Sequence, residues 1–511
     1  MNVIMRFYVV IFTYSFITTS YCKHLHTPKK NALLIIADDG GFEMGTYRNK
    51  ICQTPNLDGL GKKSLIFNNA YTSVSSCSPS RSAILTGLPI HQNGMYGLHQ
   101  GVHHFNSFDN IKSLPGILAE HGIRTGIIGK KHVGPSKVYP FSFAETEENN
   151  SILQVGRNIT KIKLLVQEFL TQNSSDPFFL YVAFHDPHRC GHINPEYGNF
   201  CEKFGNGEPG MGLIEDWHPI YYEPNQVQLP YFVQDTPAAR QDVAAQYTTI
   251  SRLDQGVGLV LQELKAAGFE NNTLIIYSSD NGIPFPSGRT NLYDPGMAEP
   301  MLISSPRPED RHNEVTYSMT SLLDIVPTLL DWFKIPYPHE NEIKPILTGK
   351  SLLPLLVKEP AHDTGAVFAS HSHHEITMYY PMRAVRTKRY KLIHNINYKM
   401  PFPIDQDFYI SPSFQDLLNR TRSKQPLNWY KTLKSYYYRD EWELYDLKRD
   451  ADEVNNVAFK PAYKDVFLEL KTKLNEWQKA TADPWLCAPG GVLEASGSFK
   501  KHPQCLPLDN F

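Results

Sequence analysis

The chain has 511 residues, which is too long for one ordinary hydrophobic core and predicts about two domains. Hydrophobic residues make up 41% of the sequence, aromatic residues 12% and charged residues 20%, a composition that argues against disorder. The formal net charge of −2 excludes the strongly basic surface that nucleic acid binding requires, so any anionic ligand must meet a local group of cations.

The N-terminus is typical of a secretory signal peptide, which we predict over residues 1–22. Arg6 precedes the apolar run 7–17, and small residues at 18–20 provide a cleavage site. This run is too short to span a bilayer, and no later stretch predicts a membrane helix. Five glycosylation sequons agree with passage through the secretory pathway. They begin at Asn149, Asn158, Asn173, Asn271 and Asn419.

Four short apolar runs predict buried parallel strands, and a polar cluster follows each of them. The runs are 32–37, 125–128, 178–184 and 274–277. Between the last two, residues 244–267 carry apolar side chains at helical spacing. In open α/β sheets ligands bind at the carboxyl ends of the strands, so the four polar clusters are expected to converge. We therefore predict an α/β, doubly wound catalytic domain over residues 23–385.

The texture of the sequence changes after residue 385, where Tyr-rich, strand-like pieces such as 389–393 alternate with turns rich in Pro and Asp. Further on, Phe467, Leu470, Leu474 and Trp477 lie on one side of an amphipathic helix. These features predict a smaller C-terminal α+β domain over residues 386–511, with an antiparallel sheet.

Residues 77–87, Cys-Ser-Pro-Ser-Arg-Ser-Ala-Ile-Leu-Thr-Gly, predict a short helix with a reactive N-terminus. Pro79 suits the first turn, Cys77 lies near the N-cap, and Gly87 suits the C-cap. Free N–H groups and the helix dipole favour a bound anion there, and Arg81 shares the face of Cys77. The alternative is a small buried cysteine on an ordinary helix.

Asp38, Asp39, Asp280 and Asn281 offer only oxygen ligands and stand just after two of the predicted strands. Oxygen ligands in an irregular arrangement favour a hard divalent cation, calcium above all. Taken singly, each acidic pair also fits a simple strand-to-loop turn. Together with the Cys77 segment, the two pairs predict a metal site.

The sequence contains seven cysteines, of which Cys22 lies at the edge of the signal peptide. Cys190 with Cys201, and Cys487 with Cys505, are close pairs that suit small disulfide loops in an oxidising compartment. Cys52 is left as a buried free thiol, and other pairings stay open.

The segment 77–87 matches the activation motif of the sulfatases from end to end, so the chain resembles that family. The resemblance implies an alkaline-phosphatase-like fold and oxidation of Cys77 to formylglycine by the formylglycine-generating enzyme. The hydrated aldehyde is then the nucleophile. It also implies one Ca2+ per subunit, held by Asp38, Asp39, Cys77, Asp280 and Asn281. The implied catalytic residues are Cys77, Arg81, Lys130, His132, His188 and Arg289, with His188 as candidate general acid.

Longer stretches resemble sulfatases that remove N-linked sulfate from the non-reducing-end glucosamine of heparan sulfate. They are residues 72–104, 126–134, 183–191, 280–292 and 399–409. This resemblance implies a lysosomal homodimer. Candidate residues for reading the sugar are His103, His104, His371, His373, His374, Glu375 and Arg383, each of which also suits a surface or interdomain position.

Two alternatives stay open on the sequence alone. An O-sulfatase acting on a sulfated sugar or an aryl sulfate would share all the core residues and differ only in its pocket. A non-catalytic glycosaminoglycan-binding protein could keep the fold, although it would have no use for an oxidised cysteine. Unmodified Cys77 in the mature protein would favour the second alternative.

Overall fold

A computed structural model describes residues 29–172, 176–191, 197–338, 346–362 and 365–508. The predicted signal peptide and the sequon at Asn173 lie outside these residues. In the described ranges, no helix combines the length and the apolar character that crossing a membrane requires.

A nine-stranded mixed sheet forms the centre of the larger part, with strand order β4-β3-β5-β1-β6-β7-β2-β8 and β9 beside β2. Only β7 runs against its neighbours, since every other pairing along the sheet is parallel. The strands are β1 Asn31–Asp38, β2 Leu65–Tyr71, β3 Arg124–Gly129, β4 Phe143–Thr146, β5 Phe178–Pro187, β6 Thr273–Ser279, β7 Ala298–Ser304, β8 Glu314–Thr316 and β9 Thr320–Ser321.

Helices cover both faces of this sheet. They are α1 Pro55–Gly61, α2 Cys77–Thr86, α3 Ile90–Asn93, α4 Leu114–Glu120, α5 Ile152–Gly156, α6 Ile159–Thr171, α7 Pro237–Ala266, α8 Asp294–Met297, α9 Ile325–Phe333 and α10 Leu353–Val357. Single-turn 3-10 helices lie at Gly45–Tyr47, Glu270–Asn272, Leu322–Asp324, Pro461–Tyr463 and Gly497–Phe499.

Alternation along β1 explains the two-sided packing. Leu34 and Ile36 point into a core shared with α2, α4 and α9, whereas Leu33 and Ile35 point into a second core shared with α6 and α7. Successive side chains of a strand face opposite sides of a sheet, so a central strand buried on both faces must be apolar throughout. The predicted doubly wound α/β fold is confirmed, with one antiparallel strand added.

The C-terminal part contains a four-stranded antiparallel sheet, β10-β11-β12-β13, and a hairpin, β14-β15. Its strands are β10 Ala366–His371, β11 Met382–Thr387, β12 Tyr390–Asn395, β13 Trp442–Asp446, β14 Gly491–Glu494 and β15 Gln504–Pro507. Its helices are α11 Gln406–Tyr409, α12 Pro412–Arg422, α13 Leu433–Tyr437 and α14 Lys464–Ala480. Leu470, Leu474 and Trp477 of α14 are buried against the sheet, as their spacing predicts.

The antiparallel sheet begins at Ala366, before the boundary that we placed at residue 385, which lies inside β11. The change in sequence texture marks only the later strands of the sheet. One hydrophobic cluster joins Tyr71 and Met297 of the larger part to Met382 and Ile393 of the smaller sheet. The larger part and the smaller sheet are therefore packed against each other.

The local predictions fit closely. The four predicted strands are β1, β3, β5 and β6; β1, β3 and β6 are longer in the structure at both ends, and β5 is longer at its carboxyl end. Helix α7 begins before the predicted residue 244 because Thr236 caps it, accepting a hydrogen bond from the Ala239 N–H, and Pro237 follows. Both predicted disulfides are present, and Cys52 is a buried free thiol.

Candidate active site

The carboxyl ends of β3, β5, β1 and β6 lie side by side in the sheet, and polar side chains follow all four. Adjacent parallel strands end at the same edge, so these side chains meet, as predicted. With Cys77 and Arg81 of α2 and with Arg289, they form what we call the strand-end cluster. It comprises Asp38, Asp39, Cys77, Arg81, Lys130, His132, His185, His188, Asp280, Asn281 and Arg289.

Cys77 is the first residue of α2, after Ser76 in extended conformation. Gly87 ends the helix at φ 70°, a left-handed conformation that favours glycine, as predicted. The Cys77 Sγ lies 4.0 Å from Asp39 Oδ1. Burial raises the pKa of the Cys77 thiol well above its ordinary value, so the unmodified residue is a thiol rather than a thiolate.

Arg81, one turn further along α2, ties two strand ends together. Its Nε donates to Asp280 Oδ2 at 2.8 Å and its Nη2 donates to Asp38 Oδ1 at 3.2 Å. Its Nη1 donates to the Lys130 carbonyl oxygen at 2.9 Å. All three side chains of this network are fully buried. The guanidinium therefore faces carboxylates and a carbonyl, and its direct effect is to fix β1, β3 and β6 relative to α2.

Asp38 and Asp39 are adjacent carboxylates in different electrostatic surroundings. Burial alone would raise the pKa of Asp38, but the positive charges of Lys130, at 2.6 Å, and of Arg81 outweigh it and hold this pKa well below its usual range. For Asp39 burial dominates, and the pKa is raised well above its usual range despite Arg289. Because burial disfavours the charged form of Asp39, a further cation nearby would stabilise its carboxylate.

The residues of the strand-end cluster fit a divalent cation. Asp38, Asp39, Cys77 and His188 each offer one ligand atom, and these four atoms lie within 4.8 Å of one another. Asn281 adds a buried Oδ1 that has no hydrogen-bond partner in the described part of the chain. Asp280 differs from the other predicted ligands, because Arg81 takes up its Oδ2 and the Asp39 and Asn281 N–H groups donate to its Oδ1.

Arg289 is the second large cation of the cluster. Its Nη1 donates to Asp39 Oδ2 at 2.5 Å and to His188 Nε2 at 3.0 Å. Its Nη2 donates to Asp405 and Asp407, which the C-terminal part supplies. Because arginine only donates, His188 Nε2 must accept, and the proton lies on Nδ1, which donates to the Arg189 carbonyl at 2.7 Å. Burial lowers the pKa of His188 to about 3, which agrees with this neutral form.

His132 is buried, and neither ring nitrogen has a hydrogen-bond partner among the described residues. Its φ of 56° is a conformation that non-glycine residues seldom adopt. A buried imidazole with both nitrogens unpaired is costly unless a ligand meets it, so His132 has the surroundings of a ligand-binding group. Lys130 lies beside it, whereas Lys131 turns away to Glu148 at 2.9 Å.

Several candidate sugar-reading residues lie near the N-terminus of α2. His374 is buried, with Nδ1 2.8 Å from Ser76 Oγ, and Glu375 accepts a hydrogen bond from the Gln406 N–H at 2.9 Å. His103 accepts one from the Ile376 N–H at 3.2 Å. The ring of His373 packs against Phe105 and Tyr379, His371 is fully buried, and His104 is exposed.

Arg383 does not join this group. Its guanidinium is fully buried, and its Nε and Nη2 donate to the two carboxylate oxygens of Asp483 at 2.6 and 2.9 Å. Its Nη1 donates to the carbonyl oxygens of His371 and Met382. Arg383 therefore fastens the C-terminal sheet to the segment after α14 and has no free face for a sugar.

The structure adds three residues that sequence reasoning missed. His185 Nδ1 lies 3.3 Å from Asp38 Oδ2, and Asp405 and Asp407 hold Arg289. His185 had a signal, because it directly follows the predicted strand 178–184. The two aspartates lie in the stretch 399–409, which the resemblance includes, but its Pro- and Asp-rich sequence is typical of a turn and its spacing does not point to the strand-end cluster.

Comparisons with known proteins agree with this geometry. Residues 30–335 match the family model described as sulfatase, so the chain belongs to the sulfatase family. Residues 288–404 and 415–480 match a second model, described as the C-terminal region of N-sulphoglucosamine sulphohydrolase. Human N-sulphoglucosamine sulphohydrolase is 63% identical over 484 residues, which cover 94% of this chain and 95% of the human protein.

More distant relatives share the architecture. An N-acetylglucosamine-6-O-sulfatase of Bacteroides thetaiotaomicron is 24% identical, with 89% of this chain and 88% of that protein covered. A solved structure of a protein in complex with its substrate, D-glucosamine-2-N,6-O-disulfate, has a TM-score of 0.63 at 19% identity, covering 89% of this chain and 98% of that chain. The last likeness shows the fold.

Proposed function

We propose that the protein is a hydrolase that removes N-linked sulfate from terminal N-sulfoglucosamine residues of heparan sulfate. The observation that carries this proposal is the 63% identity to the human N-sulphoglucosamine sulphohydrolase along 94% of the chain. The match of residues 288–404 and 415–480 to the C-terminal model of that enzyme supports the same substrate. The buried strand-end cluster supports the reaction class.

The proposed nucleophile is formylglycine, made from Cys77 by the formylglycine-generating enzyme, and the proposed cofactor is one Ca2+. Asp38, Asp39, Asp280, Asn281 and residue 77 would hold the cation, which supplies positive charge beside the sulfuryl oxygens and the attacking hydroxyl. The aldehyde hydrate supplies two hydroxyls on one carbon, one to attack sulfur and one to release sulfate.

The remaining residues of the strand-end cluster would bind the sulfamate group. Lys130 and Arg289 bring positive charge to the site, and His132 brings a ring nitrogen with no other partner. Donors fixed in advance in a buried site stabilise developing charge more strongly than donors in water. Arg81 acts indirectly, by holding Asp38 and Asp280 where the cation binds.

His188 is the proposed general acid. An amine is a poor leaving group unless it gains a proton, and His188 Nε2 is the ring nitrogen that faces Arg289 and the cluster. With its pKa lowered to about 3 by burial, the imidazole needs the negative charge of a bound sulfamate to hold a proton at mildly acidic pH. The fully anionic substrate would supply that charge.

We also propose a lysosomal location, reached through the secretory pathway, and a homodimeric assembly. Of the described sequons, Asn149, Asn271 and Asn419 are exposed, which supports glycosylation during secretion. The Asn158 side chain instead caps α6 by accepting a hydrogen bond from the Lys161 N–H, so a glycan there would have to share the residue with the cap.

The test of the reaction is product analysis on N-sulfoglucosamine. Protein co-expressed with the formylglycine-generating enzyme is expected to release inorganic sulfate and free glucosamine in equal amounts at acidic pH. Sulfate is followed by ion chromatography and the free amine by NMR. Absence of both products, from protein whose residue 77 is shown by mass spectrometry to be an aldehyde, would contradict the proposed function.

Removal of the cation should lower both activity and stability. Four carboxylate and amide side chains would then share a buried space without a divalent partner, and the folded state would lose the free energy of metal binding. Dialysis against a chelator is expected to lower the melting temperature and abolish sulfate release, and added Ca2+ should restore both. A chelated sample with unchanged melting temperature and rate would contradict a metal at this site.

A further inference from the structure

Asp405 and Asp407 of the C-terminal part reach the strand-end cluster from outside the central sheet. Asp405 directly precedes α11 and Asp407 lies in its first turn. Their side chains are 3% and 11% exposed, and both accept hydrogen bonds from Arg289 Nη2. With Asp39 on Nη1, the single guanidinium meets three carboxyl groups.

Asp407 has a carboxylate oxygen without a hydrogen-bond donor among the described residues. Asp407 Oδ1 accepts from Arg289, whereas Asp407 Oδ2 is buried and has no hydrogen-bond partner in the described ranges. That oxygen lies 3.9 Å from His188 Nε2. A buried carboxylate oxygen without a donor is costly, and its position beside the candidate general acid indicates that a ligand supplies the donor.

We propose that Asp407 Oδ2 accepts a hydrogen bond from the N–H of the sulfamate, and that Asp407 thereby selects N-linked over O-linked sulfate. This inference rests on the proposed function. His188 must reach the atom that bridges sulfur and sugar in order to protonate it. Asp407 Oδ2 is close enough to His188 Nε2 to contact the same bridging atom. In a sulfamate this atom carries a hydrogen, whereas in a sulfate ester it carries only lone pairs.

The physical basis of selection is the unmatched oxygen. A sulfate ester would place its bridging oxygen against a carboxylate oxygen, which leaves Asp407 Oδ2 unpaired and adds repulsion between lone pairs. Sites built to bind a substrate N–H can reject an analogue without it by about 10⁴-fold. The same contact would strengthen as the nitrogen gains its proton, because the donor then becomes more positive.

Asp405 provides the matched control. It holds Arg289 from the same side and is also buried, but its contact with the cluster is through Arg289. Asp405 is thus a positioning residue. Asp405→Asn should weaken the binding of every sulfated ligand, whereas Asp407→Asn should affect N-linked and O-linked sulfate in opposite directions, since its amide can donate to an ester oxygen.

The experiment compares N-sulfoglucosamine with glucose 2-sulfate, which keeps the same sugar position and replaces the bridging N–H by oxygen. For Asp407→Asn we expect kcat/KM on N-sulfoglucosamine to fall about 100-fold and the inhibition constant of glucose 2-sulfate to become about tenfold lower. For Asp405→Asn we expect kcat/KM on N-sulfoglucosamine to fall and the inhibition constant of glucose 2-sulfate to rise by similar factors. Melting temperatures identify any misfolded variant, and Asp407→Ser, which also removes the carboxylate, replaces Asn if that variant does not fold.

Parallel weakening of both ligands in the Asp407 variant would overturn the proposal, because Asp407 would then act only through Arg289. This outcome is distinct from failure of the proposed function. That failure would appear in the wild-type protein, as absence of sulfate release from N-sulfoglucosamine, before any variant is compared.

Discussion

Replacement of Cys77 by Ser is expected to abolish sulfate release while leaving the fold intact. Serine is no larger than cysteine, so we expect it to fit the same buried position at the start of α2. It cannot become an aldehyde hydrate, so it lacks the second hydroxyl that would expel sulfate. We expect a loss of at least about 10⁴-fold in kcat/KM, measured by initial rates, since removal of a covalent nucleophile is among the most severe changes to a hydrolase.

The matched control is Cys52→Ser, which alters the second free, buried cysteine of the residues that the structure describes and lies outside the strand-end cluster. That variant should keep its activity per folded molecule, although it loses some stability by burying a hydroxyl. Sulfate release by Cys77→Ser at a rate near that of wild type would contradict the assignment of the nucleophile.

Of the substitutions proposed for this protein, Asp186→Asn is expected to cause the largest loss in the free energy of unfolding. The Asp186 carboxylate lies between two fully buried arginines, accepting hydrogen bonds from Arg157 and, at 2.7 and 2.9 Å, from Arg252. Without its charge, two buried guanidinium groups lose their counterion. Breaking such a pair costs about 3–5 kcal/mol in the free energy of unfolding, measurable by urea denaturation.

The Asp186→Asn variant should also lose activity, because Arg157 donates to the His188 carbonyl oxygen at 2.8 Å and so holds the segment that carries the proposed general acid. The control is Asp235→Asn, which breaks an exposed pair with Arg240. Exposed pairs contribute little, so that variant should unfold at nearly the wild-type urea concentration. Equal small effects of both substitutions would show that Asp186 is not the centre of a stabilising ion-pair network.

Local sequence pattern was enough to predict the strand ends. A strand buried on both faces must be largely apolar, so β1, β3, β5 and β6 stand out, and polar residues lie at or just beyond the carboxyl end of each. The two ends of α2 were equally visible, because Pro79 suits the first turn of a helix and Gly87 suits its C-cap. These two signals, with the resemblance of the Cys77 segment, located the candidate site.

Partners that are distant in sequence were not predictable in this way. Helical spacing shows that Arg81 shares a face with Cys77, but it does not show that Asp38 and Asp280 meet its guanidinium there. Arg383 and Asp483 are separated by 100 residues, so no spacing rule joins them, and the sequence alone leaves Arg383 as a candidate sugar ligand. Asp405 and Asp407 contact Arg289 only because the C-terminal part packs on the central sheet, which no local pattern predicts.

The most direct test of the central claim is a comparison of kcat/KM for N-sulfoglucosamine, 6-O-sulfated glucosamine and an aryl sulfate, measured side by side on one preparation of wild-type protein. A site that binds a sulfamate through its N–H predicts a strong preference for the N-sulfated sugar. A preference for either O-sulfate would leave the fold and the nucleophile in place but contradict the proposed substrate.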